Sequence, residues 1–92
     1  MPAYIVDYDL HRPGQNYPRL SKAIEDHYET HWHMLGSTWI IQTFESAEQI
    51  HGNLAPQIDP NDKLFVAGLS GEAAWDGFFS KGTEWLKCAL SF

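Results

Sequence analysis

The sequence predicts a single α+β domain with the element order strand, helix, strand, strand, helix, strand. Three observations predict it: β-branched and aromatic runs at residues 3 to 10, 31 to 44 and 63 to 69; a helical repeat of apolar residues between the first two; and a helix-capping signature at Ser46. Alternation with period two suits a strand and recurrence at three to four suits a helix, so the order of the two patterns sets the class.

Residues 3 to 10 read AYIVDYDL and end at His11-Arg12-Pro13-Gly14, a loop signal. Tyr4, Val6, Tyr8 and Leu10 share one face of this strand, and Ile5, Asp7 and Asp9 the other. The first set is expected to meet the helices.

Asn16 is a good helix cap and Pro18 suits a first turn. Tyr17, Leu20, Ile24 and Tyr28 then recur at helical spacing, with Lys22, Glu25, Asp26 and Glu29 on the wet side. A helix over residues 17 to 28 follows. The segment HWHMLGSTWIIQTF is read as two strands meeting at Gly36-Ser37. Ser46 to Gln49 is a capping box, opening a helix with Ala47, Ile50 and Leu54 on one face and Pro56 limiting its length. Asp59-Pro60-Asn61-Asp62 is a turn cluster, and KLFVAGL at residues 63 to 69 is the last core strand.

This order is the split βαβ arrangement, whose usual product is a four-stranded antiparallel sheet with two helices on one face, the ferredoxin-like plan. The strand of residues 3 to 10 is expected at its centre because it is the most apolar. Residues 70 to 92 form a tail beyond that plan, carrying Trp75, Phe78, Phe79, Trp85, Leu86 and Leu90. Thr83 is expected to cap a short terminal helix there, and Cys88 to fill a small core space. So apolar a tail must cover the bare sheet face or a neighbouring chain. One domain is expected over residues 1 to 92, with a core of 3 to 69.

Twelve acidic residues against six basic ones leave a net charge of −6. Such a surface repels phosphate backbones and anionic headgroups. A single cysteine excludes an internal disulfide and suits a reducing compartment. With no long apolar run and no signal-like start, no membrane association is expected and the cytoplasm is the expected location. The four tryptophans come with few Arg or Lys between them, which favours packing over base stacking.

Asp9 stands at a strand end, on the face away from the helices, where a carboxylate suits a hard divalent cation; Asp7 shares that face. The competing reading is that these acids face solvent or take hydrogen bonds from the following loop, with Asp9 capping Arg12 to Gly14. His31 and His33 share a face of their strand, and such a pair suits Zn or Ni, though it makes only half a site. Ser37 at the kink is expected to answer a freed backbone group through its hydroxyl.

With YIVDYDL at residues 4 to 10 and HMLGSTWIIQTF at 33 to 44, the chain resembles the small CRISPR-associated nucleases of the second Cas family and their relatives, the virulence-associated D proteins. The resemblance covers residues 3 to 69. It implies a homodimer in which an aspartate ending the first strand faces its mate across the axis. There a magnesium-type ion would activate water for phosphodiester cleavage. Asp9 matches that aspartate and Ser37 the serine between strands two and three. Some members of the family act as scaffolds without cleavage.

The acidic charge and the aromatic tail depart from the family's pattern. The expected function is therefore a non-catalytic or weakly catalytic homodimeric module that binds a protein partner. The alternative is a magnesium-dependent endonuclease on RNA or DNA. A cluster of Arg12, Arg19 and Lys22 beside Asp9 would favour the nuclease, and an apolar, water-free Asp9 the scaffold.

Overall fold

The structure is a computed structural model that describes residues 1 to 11 and 17 to 90. The expected cap Asn16, the Arg12 expected to support the Asp9 site, and the loop Arg12 to Gly14 that Asp9 would cap lie outside the described residues. The elements in order are β1 (Ala3–Asp9), α1 (Tyr17–His27), β2 (Thr30–Leu35), β3 (Thr38–Gln42), α2 (Ala47–Leu54), β4 (Lys63–Gly68) and α3 (Ser80–Ala89). A 3₁₀ turn, Ala55–Gln57, follows α2 and contains Pro56.

The four strands form one antiparallel sheet in the order β2-β3-β1-β4. The fold is thus an α+β sandwich of the ferredoxin-like plan, and β1 is central as its apolar composition requires. Val6 lies opposite Trp39 on one side and Val66 on the other, which sets the register. That register sends the even-numbered residues of β1 towards α1 and α2. Val6, Tyr8, Trp39 and Ile41 pack there on Leu20, Ile24, Ile50 and Leu54. Burial of each such aliphatic side chain contributes about 1.5–3 kcal/mol. The Trp39 indole donates to the Tyr8 hydroxyl at 3.1 Å, so the buried polar atoms of this core satisfy one another.

The capping box at α2 is complete. The Gln49 amide donates to Ser46 Oγ at 3.1 Å, and the Ser46 amide donates to Gln49 Oε1 at 2.8 Å.

The tail folds back on the outer face of the sheet. Leu86 packs with Ala3 and Ile40, and Ile5, Trp32, Met34, Trp75 and Phe78 surround them. Trp32 lies edge-on to Phe78, with ring centroids 5.1 Å apart. Gly82 admits this: a Cβ there would stand 2.8 Å from Trp32 Cζ2.

Two expectations for the tail are corrected. The N-cap of α3 is Phe79, not Thr83, which sits inside the first turn and accepts the Trp75 indole N–H at 3.2 Å. Cys88 is exposed rather than a core filler, because the buried stripe of α3 runs through Leu86 and Ala89. No described helix is long and apolar enough to cross a membrane.

Candidate functional site

The sheet register divides the outer face into rows. Trp32, Ile40, Ile5 and Ala67 form one apolar row across all four strands, and the tail packs on it. The next row is Leu35, Thr38, Asp7 and Phe65. The tail leaves much of this second row open: Leu35 is 53% exposed and Phe65 63%. One step further, Asp9 stands opposite Lys63.

Asp7, Asp9, Ser37, Lys63 and Phe65 line a shallow cleft of about 510 Å³ at this end of the sheet. Asp7 and Asp9 therefore come together on one face as their spacing requires, but their environments differ. Asp7 is half-buried, and its Oδ1 accepts the Thr38 hydroxyl at 2.9 Å, the Tyr8 amide at 3.1 Å and, more weakly, the Ser37 hydroxyl at 3.4 Å. Three donors on one oxygen make Asp7 a brace of the β1–β3 pair. Asp9 is exposed. The expected role of Ser37 needs correction: its carbonyl, not its hydroxyl, answers the backbone, accepting the Tyr8 amide at 3.2 Å.

His31 and His33 share a face, but it is the helix face, opposite Asp7 and Asp9. His33 stacks on Trp39 with centroids 4.2 Å apart and planes 8° apart, and its Nε2 meets the Gly36 carbonyl at 2.9 Å. His31 Nδ1 meets the Tyr28 carbonyl at 2.7 Å. Both rings are engaged in packing and backbone contacts. Arg19 donates to Gln57 and to the Pro56 carbonyl, each at 3.1 Å, and Lys22 pairs with Asp26 at 3.2 Å. Neither lines the Asp9 cleft, where Lys63 is the lining cation among the described residues.

A third grouping escaped the sequence reading. His11 follows β1, and Asp59 and Asp62 precede β4. The Asp62 side chain is fully buried, and its Oδ1 meets His11 Nδ1 at 2.5 Å and accepts the His11 amide at 2.9 Å. Asp62 Oδ2 accepts the Asp59 amide at 2.8 Å, closing the turn. His11 Nε2 faces Asp59 Oδ2 across 4.0 Å. The Asp9–Lys63 register was the missing signal, since antiparallel pairing brings the end of β1 beside the turn before β4.

A fourth polar group lies at the far end of the sheet. Asn53 Nδ2 meets the Tyr28 hydroxyl at 3.2 Å, His27 Nε2 at 3.1 Å and both Glu45 oxygens at 3.3 Å. Burial pushes the Tyr28 phenol up to about 12, Asn53 opposes this, and the Glu45 carboxylate adds to it. No family model, curated protein or solved structure matches the chain.

Proposed function

We propose that this chain is a homodimeric interaction module, non-catalytic or weakly catalytic, of the kind its resemblance to the second Cas family implies. The observation that carries the reading is the open outer row, where Leu35 and Phe65, both more than half exposed, flank Thr38 and the braced Asp7. Apolar side chains beside a satisfied polar centre suit a surface that closes on a second copy or a protein partner. The net charge of −6 and the engagement of Arg19 and Lys22 away from the cleft weigh against a nucleic-acid groove.

A second reading, a magnesium-dependent endonuclease, is favoured by one observation: Asp9 is exposed in a cleft that also holds Ser37 and Lys63. Magnesium sites use one or two carboxylates with water and substrate phosphates. One Asp9 from each copy would supply that pair.

Light scattering at micromolar concentration tests the module. A dimer is expected, and a mass near 10.5 kDa overturns it. Cleavage of labelled RNA and DNA with and without magnesium then separates the readings. The module predicts little or none. Magnesium-stimulated cleavage that Asp9→Ala abolishes would establish the nuclease instead.

A further inference from the structure

The His11 grouping carries an inference that does not depend on the reading above. The ligating atoms of His11, Asp59 and Asp62 all lie within 4.8 Å of one another. Asp62 is spent on holding the others: its carboxylate accepts from His11 Nδ1, the His11 amide and the Asp59 amide. A histidine held by a carboxylate at one ring nitrogen presents the lone pair of the other in a set orientation. Here that other nitrogen is Nε2, in a side chain 30% exposed, and it faces Asp59 Oδ2 at 4.0 Å. This separation is too long for a hydrogen bond. Neighbouring ligands of a tetrahedral ion with bonds of about 2.0–2.2 Å stand about 3.3–3.6 Å apart, so about half an ångström of side-chain movement closes the pair on one ion. The Asp59 carboxylate is 46% exposed, leaving room for water to complete a coordination shell.

We propose that His11 Nε2 and Asp59 bind one divalent transition ion of the zinc, nickel or cobalt class, with Asp62 as the positioning residue behind the imidazole. An imidazole ligand selects these ions over magnesium, which prefers an all-oxygen shell. The site differs from that of Asp9 in its ligands and in its preference among ions.

The test is titration of the full chain with Co(II), Zn(II) and Mg(II), followed by calorimetry, cobalt visible absorption and imidazole nitrogen NMR. Saturable binding of one Co(II) or Zn(II) per chain is expected, with the His11 Nε2 resonance perturbed and no comparable response to Mg(II). Asp59→Asn, at an exposed side chain, should keep the fold and weaken binding about tenfold or more. His11→Ala should abolish the cobalt spectrum, and Asp62→Asn should weaken binding about 10–100-fold, as loss of an outer partner does. Circular dichroism verifies the fold of each variant. His33→Ala should bind as the parent does. Absence of saturable binding overturns the proposal, as does binding unchanged in folded Asp59→Asn and His11→Ala, or an equal response to magnesium.

Discussion

The Asp7 carboxylate accepts the Thr38 hydroxyl at 2.9 Å directly across the β1–β3 pair. The same oxygen takes the Tyr8 amide at 3.1 Å, so one side chain ties two strands at the mouth of the Asp9 cleft. Asp7→Ala takes the Thr38 hydroxyl's acceptor away and leaves the Tyr8 amide to the Ser37 carbonyl, and should cost about 1–3 kcal/mol. Asp9→Ala, at an exposed position, should stay within about 0.5 kcal/mol. Urea midpoints of the two variants check this, and equal losses would contradict the division of roles.

Gly82 and Gly52 should respond oppositely to alanine. At Gly82 the new Cβ meets the Trp32 ring, which Phe78 and Trp85 flank. Overpacking there should cost about 1–3 kcal/mol and loosen the tail, read as lost near-ultraviolet dichroism and increased binding of an apolar dye. Gly52 lies within α2 with nothing within 4 Å of its would-be Cβ, so Gly52→Ala should stabilise by about 0.5–1 kcal/mol.

Stability should fall in alkali through Tyr28. Its phenol is raised from 10.0 to about 12 in the fold, so the neutral form is favoured there. The contribution is fully present below the unfolded value of 10.0 and is lost as pH rises through about 12. Denaturation at stepped pH should show this decline, and Tyr28→Phe should flatten it. The same variant should cost about 1 kcal/mol at neutral pH by removing the bond with Asn53.

His33→Ala removes a ring stacked on Trp39 and should cost about 0.5–1.5 kcal/mol beyond the area lost. Thermal melting checks it. A domain of this size shifts by roughly 4–8 °C per kcal/mol, so the loss falls within easy measurement.

The strands and the first two helices were legible because their signals are local. Val6 and Tyr8 alternate with Ile5 and Asp7, Leu20 and Ile24 recur at one helical turn, and the Ser46–Gln49 box depends only on residues three apart. The pairing of Asp7 with Asp9 on one face follows from the same period of two. The histidines were harder to place. Alternation puts His31 and His33 on a common face but does not say which, and the pairing of His33 with Trp39 turned them inwards to the helices.

By itself the sequence determined the element order, the capping of α2 and the two faces of β1, since backbone geometry and side-chain period act between near neighbours. Only the tertiary structure decided what the aromatic tail covers, which row of the outer face stays open, and that His11 meets Asp59 and Asp62. Those outcomes depend on strand register. The Asp9–Lys63 pairing joins segments remote in sequence, and its energy comes from the whole sheet and core rather than from any short motif. Cys88 shows the same limit on a smaller scale: Leu86, Ala89 and Leu90 near it in sequence are apolar, yet the rotation of α3 that buries Leu86 and Ala89 leaves its thiol exposed.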